Sequence, residues 1–310
     1  MKTDRALNRH LVVVAMSLCF VFLLSVASDS LRPISTVAAQ AKTTITKPKG
    51  LTLSPLRSEL EIAPGTSLDG VLTVTNSTDK PMIVDASAEE FSVIDQQYDY
   101  SFTAESDVAK WVSFNPTEVN LSAGASEKIA FTVGVPLSAE PGGRYISLFA
   151  STKTGTSDDS VNSLQRVASL LYITVLGDVT RAGHLVTLTS PWGISANNTW
   201  SGTIQNTGTT HFRSRYNVGV KNILGDGVVV SASGDALILP GTVRLVSDIL
   251  PAPQLPGIYK VVYTIGLGDT PAKTETRFIL YAPPWSIFII IAAATVLILV
   301  LWRKRKLSRR

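Results

Sequence analysis

From Trp285 to Trp302 the chain runs through 18 residues of which only Ser286 and Thr295 are polar, and Arg303, Lys304, Arg305, Lys306, Arg309 and Arg310 follow with no acid among them. A helix rises about 1.5 Å per residue, so this run reaches about 27 Å, close to the roughly 30 Å hydrocarbon core of a bilayer. Tryptophan at both ends suits the interfacial belts, Pro283 and Pro284 stop the helix from running backward, and basic residues beside a span stay cytoplasmic. The expectation is a single-pass protein of the cell membrane. It has one transmembrane helix over 285–302, a basic cytoplasmic tail over 303–310, and membrane lipid as a partner through that helix. The bulk of the chain is then extracytoplasmic.

The other end points the same way. Lys2, Arg5 and Arg9 precede an apolar run from Leu11 to Val26 broken only by Ser17 and Ser25, and Ser25-Val26-Ala27 supplies small residues for cleavage. This reads as a signal peptide over 1–27, with an uncleaved signal anchor as the alternative. Residues 28–50 are small, polar and basic without periodicity, which predicts a flexible spacer. Setting aside Asp4 and the nine basic residues of the two terminal segments leaves 19 basic and 23 acidic side chains between them. A net charge of −4 excludes nucleic acid as a natural partner, because phosphate binding needs a cationic face. The only cysteine, Cys19, lies in the signal. An exported region without disulfides fits a bacterial surface protein better than a disulfide-stapled animal receptor.

Between the ends, apolar residues recur at every second position. Ile129, Phe131, Val133 and Val135 alternate with small or polar residues, as do Leu72 with Val74, and Tyr259, Val261, Tyr263 and Ile265. Val167, Ser169, Leu171, Ile173 and Val175 line one face of a further strand. Period-two runs of this length, separated by turns and without a helical stripe, predict an all-β chain of sandwich domains. A weak duplication divides them. An asparagine turn (Asn76-Ser77-Thr78-Asp79; Asn206-Thr207-Gly208), a glycine turn (Ala123-Gly124; Pro240-Gly241) and a Pro-Gly entry to a tyrosine-bearing strand (Pro141-Gly142-Gly143-Arg144-Tyr145; Pro256-Gly257-Ile258-Tyr259) recur in the same order. Two tandem immunoglobulin-like sandwiches are expected, over 51–178 and 183–281, with 177–183 as a hinge.

Catalytic chemistry lacks its parts. His184 and His211 are the only histidines beyond the signal and are expected at the surface. No nucleophile elbow, zinc-ligand spacing, phosphate loop or other cofactor motif occurs. Glu89, Glu90, Asp95, Asp99, Asp158 and Asp159 lack the alternating spacing of a calcium loop, so a solvated face explains them. Aromatic residues are the better binding candidates. Tyr98, Tyr100 and Phe102 would share one face of a strand, and Trp192 and Trp200 flank the Gly/Asn-rich GISANN loop. Tyr98, Tyr100, Trp192 and Trp200 are the candidate ligand contacts, with burial inside a sandwich as the alternative.

Pro64-Gly65, the strand that follows, Asn76-Ser77-Thr78-Asp79 and the acid-tyrosine segment up to Tyr100, together with Trp111 and Pro136, resemble the opening domain of the WxL-interacting proteins of monoderm bacteria. The motif detail covers about 90 residues, and the Gly142-Gly143-Arg144-Tyr145 segment and compact second domain depart from that pattern. The resemblance implies one domain that holds envelope polymer and a second that meets another protein. The expected function is a non-enzymatic, membrane-anchored surface protein whose two domains bind peptidoglycan-like envelope polymer or other surface proteins. The alternative is a tethered chaperone or scaffold that assembles another exported protein through sheet-edge pairing. A hydrolase, the third class, would have to work through His184 or His211.

Overall fold

The computed structural model describes residues 50–153, 165–194, 198–223, 225, 227–283 and 285–308. The segments expected as signal and spacer, 1–27 and 28–49, lie outside the described residues, as do Asp158 and Asp159.

The first run of strands is β1 (Leu51–Ser54), β2 (Arg57–Ile62), β3 (Ser67–Asn76), β4 (Met82–Val93), β5 (Tyr100–Thr103), β6 (Val112–Asn115), β7 (Glu118–Leu121), β8 (Ser126–Gly134), β9 (Gly142–Thr152) and β10 (Arg166–Val175). They form a sheet ordered β1-β3-β8-β6 and another ordered β2-β10-β9-β4-β5, with β7 also on β4. The second run is β11 (Gly183–Thr189), β12 (Gly193–Ile194), β13 (Thr199–Asn206), β14 (Phe212–Asn222), β15 (Val228–Ile238), β16 (Val243–Ile249), β17 (Gly257–Leu267) and β18 (Thr270–Tyr281). These make a sheet β11-β13-β16 and a sheet β12-β18-β17-β14-β15. Among the described residues only β2 on β10 and β12 on β18 pair in parallel.

The alternation seen in the sequence is what buries one face of each sheet. Leu72, Val74, Ile129, Phe131, Val133, Leu171, Ile173 and Val175 meet in one core. Trp200, Val218, Val220, Tyr259, Val261, Tyr263 and Ile279 fill another. The duplication has a structural counterpart. Asn76 and Asn206 are both fully buried. The Asn76 amide donates to the carbonyls of Lys80 (2.8 Å) and Ser122 (3.0 Å), and that of Asn206 to Thr210 (2.9 Å) and Ile238 (2.8 Å). Each side-chain oxygen accepts the backbone N–H two residues on. A buried amide used this way ties a turn to a neighbouring strand at both ends of its dipole.

The segment expected as a hinge is instead strapped down. The Ala182 carbonyl accepts from Thr207 and Gly208, Thr180 accepts from Thr209, and Arg181 accepts from Asp269, all within 3.1 Å. A third apolar cluster joins the two sandwiches, with Phe91, Tyr98, Tyr145 and Tyr172 packed on Phe212, Leu237, Ile238 and Leu239. Burying a large side chain stabilises by roughly 1.5–3 kcal/mol, so this joint is part of the fold. Lys47–Pro283 accordingly form one compact unit.

The helix α1 (Ser286–Ser308) follows. Among the described residues no helix is long and apolar enough to cross a membrane. The single-pass localisation and the lipid partner expected from 285–302 are therefore withdrawn.

Candidate functional site

A sheet edge carries unpaired N–H and C=O groups, and proteins guard such edges by shortness, charge, proline, bulges or cover. Here β1, β5, β6 and β7 have 4 residues each and β12 has 2. On β2, Glu59 pairs with Arg213 at 2.6 Å and Glu61 with Arg181 at 2.9 Å. The end of β10 beyond β2 carries Arg166, whose guanidinium lies 3.4 Å over the Phe149 ring. A bulge between Leu185 and Thr187 kinks β11, and β16 carries Arg244 and Asp248. On β18 stand Pro271, Lys273, Glu275 and Arg277, with Glu275 3.5 Å from Lys273 and 3.2 Å from Arg277.

The exception is β15. Its sequence, VVVSASGDALI, has no proline or basic residue and no acid before Asp235. Val228 pairs with Lys221 and Val230 with Val220, which leaves Val229 as a bulge at the strand's start. From Val230 to Asp235 the register is regular: Val230, Ala232 and Gly234 are half-buried, while Ser231, Ser233 and Asp235 are exposed. Gly234 has a steric reason, since a Cβ there would stand 2.3 Å from the Tyr216 hydroxyl.

The far end of this edge is closed by side chains. Arg244 donates to the Leu237 carbonyl at 2.6 Å, Asn206 to the Ile238 carbonyl at 2.8 Å, and the Leu239 N–H donates to the Tyr98 hydroxyl at 2.8 Å. The open stretch thus ends where the joint begins. Beside it, on the outward face of the sheet, Arg215, Asn217, Ser233, Asp235 and Thr264 line a shallow groove of about 490 Å³. Arg213 forms an ion pair with Asp235 and holds its carboxyl below the usual range, so this acid is charged at neutral pH.

A second recess, of about 440 Å³, lies at the joint between Glu59, Glu61, Thr174, Arg181, His211 and Arg213. Its arginines already face carboxylates. His211, expected at the surface, is 7% exposed because it packs edge-on against Tyr145 and beside Tyr172. Burial pushes its pKa down. His184 is exposed.

The aromatic candidates separate. Tyr98 is 5% exposed and sits in a turn at φ 69°, off the strand that carries Tyr100. Its hydroxyl lies 2.7 Å from Thr242 Oγ1 and Arg244 stacks 4.2 Å over its ring. Burial, its largest influence, raises its pKa. Trp200 is fully buried against Tyr216 and Tyr263. Both are packing residues, out of reach of a ligand. Tyr100 is 38% exposed and edge-on to Phe91 at 5.4 Å, and Trp192 is 83% exposed. Tyr98, Tyr100 and Phe102 therefore do not form one face. The edge of β15 was not anticipated; its signal was a long β-branched and small-residue run without charge. Among the described residues no three of His, Cys, Asp or Glu come together as a metal site.

No family model and no curated protein matches the chain. Among solved structures, the class 5 fimbriae chaperone CfaA is 14% identical, with a TM-score of 0.40 over 76% of this chain and 100% of its own. The E. coli chaperone DraB is 15% identical, with a TM-score of 0.36 over 75% and 98%. The CsuC–CsuE pre-assembly complex of Acinetobacter baumannii gives 12%, 0.36, 75% and 99%. Likeness at this level lies in strand architecture and carries no function across.

Proposed function

We propose that the chain is a non-enzymatic binding protein, a chaperone or scaffold that takes an extended segment of another protein onto the edge of β15. One observation carries this reading. Of all the sheet edges among the described residues, β15 alone is long, regular and free of guarding charge over Val230–Gly234. Main-chain pairing supplies affinity at such an edge, and alternate side chains supply selectivity. The joint supports the reading by holding the strand rigid, since Leu237, Ile238 and Leu239 are anchored to Arg244, Asn206 and Tyr98. An acceptor strand fixed before its guest arrives avoids part of the ordering cost of association.

The test is selection of binders to the full chain from a library of random decapeptides. The recovered peptides should be strand-forming, rich in β-branched residues, and should lose binding to a Ser231→Lys, Ser233→Lys variant. Recovery of helix-forming peptides, or binding that ignores both lysines, would reject the edge as the site.

A further inference from the structure

One polar group reaches the open edge from the strand behind it. Tyr216 on β14 stands opposite Gly234 on β15 in the register. A Cβ on Gly234 would overlap the Tyr216 hydroxyl and the ring carbon that carries it, so the phenol lies across the glycine with its hydroxyl over the rim strand. The fully buried Trp200 braces the ring edge-on at 5.3 Å. Tyr259 and Tyr263, core tyrosines of the same sandwich, commit their hydroxyls to the Leu255 carbonyl and to Ser190 Oγ, each at 2.7 Å. Among the described residues the Tyr216 hydroxyl has no such partner. The residue is half-buried, and burial raises its pKa, so the hydroxyl keeps its proton at neutral pH and can both donate and accept.

Resting on the strand-acceptor reading, we infer that Tyr216 selects guest segments carrying a threonine or serine on the inward face beside Gly234, flanked by apolar residues at the neighbouring inward positions. A guest strand would lie about 4.8 Å beyond β15, and side chains directly opposite each other start about 4.5–5.5 Å apart. Gly234 leaves its own half of that space to the Tyr216 hydroxyl, so a hydroxyl one bond out from the guest Cβ comes within hydrogen-bond reach. A valine there would cover the phenol and leave its hydroxyl unpaired, at the desolvation cost of a buried polar group. The flanking preference follows from Val230 and Ala232, which pair with the buried Val220 and Val218 and continue the apolar face of the sandwich.

Two capped decapeptides of alternating serine and valine test this on the full chain, one of them with a central valine replaced by its near-isostere threonine. The valines face inward, and the peptide can slide in steps of two until the threonine meets Tyr216. The threonine peptide should bind about 5-fold tighter, a preference of the size of one neutral hydrogen bond. Tyr216→Phe should reverse the order, because the guest hydroxyl is then the group left unpaired. The same variant should keep the wild-type urea midpoint, since the hydroxyl it removes bonds nothing in the free chain. A threonine peptide N-methylated on the amides that face β15 should not bind, a control that needs no change to the protein. Equal affinity of the two peptides, or a preference that Tyr216→Phe leaves in place, overturns selection by Tyr216; if N-methylation still blocks binding, the edge reading stands. Failure of both peptides to bind, or indifference to N-methylation, overturns the edge reading with it. A dimer of the chain that Ser231→Lys with Ser233→Lys dissociates would make a second copy the occupant and overturn the proposal.

Discussion

The strands β15 and β18 lie at opposite sides of the same five-stranded sheet, β15 at its rim and β18 flanked by β12 at Leu280 and Tyr281, and are nearly equal in length, at 11 and 12 residues, yet they treat their open sides differently. Along β18 a proline and three charged side chains stand within seven positions, and Glu275 ties two of the cations together. Along β15 the equivalent stretch is valine, serine, alanine and glycine. Both strands pair equally well with their inner neighbours, so the contrast does not come from sheet stability. It comes from what each edge admits. Charged side chains on an edge would themselves lose hydration under an approaching strand, whereas small ones let its backbone close to pairing distance at little cost.

Exchanging the two characters should give the largest effect. Ser231→Lys with Ser233→Lys writes the β18 pattern onto β15, and we expect peptide affinity to fall more than about 10-fold while stability moves by less than about 0.5 kcal/mol, since both sites are exposed. Titration and urea melts read the two quantities separately. Second comes the closed end of β15. Tyr98→Phe removes the acceptor of the Leu239 N–H and the partner of Thr242, leaving a buried donor unmet. The expected cost is about 1–3 kcal/mol by urea denaturation. A loss below about 0.3 kcal/mol would show that the joint does not fix this strand.

Acid should weaken the same joint. Burial depresses the pKa of His211 below its ordinary value near 6.5, with Glu59 and Glu61 opposing and Arg181 and Arg213 assisting. The unfolded chain therefore takes up the proton first, so stability is full above about pH 6.5 and declines as pH falls toward the folded-state pKa. Urea midpoints at pH 7.5 and 5.5 should differ for the wild type and differ less for His211→Gln. The smallest effect is expected on the guarded side. Lys273→Thr with Arg277→Thr should add only a weak second peptide site, because Pro271 still lacks a donor. A site as strong as that of β15 would mean that charge is not what separates the two edges.

Much of the architecture was legible because period-two burial leaves a local trace. Ile129, Phe131 and Val133, and likewise Tyr259, Val261, Tyr263 and Ile265, are all buried as their alternation required. The role of Asn76 and Asn206 was half legible, since the turn was visible and the strand it grips was not. Tyr98 misled because a left-handed backbone turn takes it off the strand of Tyr100, and tyrosine rarely adopts that conformation. Trp200 misled because a polar-looking neighbourhood in sequence lies over a core in space. His211 was misplaced for a related reason: its burial depends on Tyr145 and Tyr172, which come from the other sandwich. The open edge was hidden because sheet order is a property of non-local pairing, and VVVSASG reads the same in the middle of a sheet as at its rim.

Hydrogen–deuterium exchange on the full chain, with and without a saturating strand-forming decapeptide, tests the central claim most directly. The outward-facing amides between Val230 and Asp235 should slow markedly on peptide addition, and those of Lys273–Arg277 should not change. Protection appearing along β18, or none along β15 while the peptide is bound, would contradict the assignment of the accepting edge.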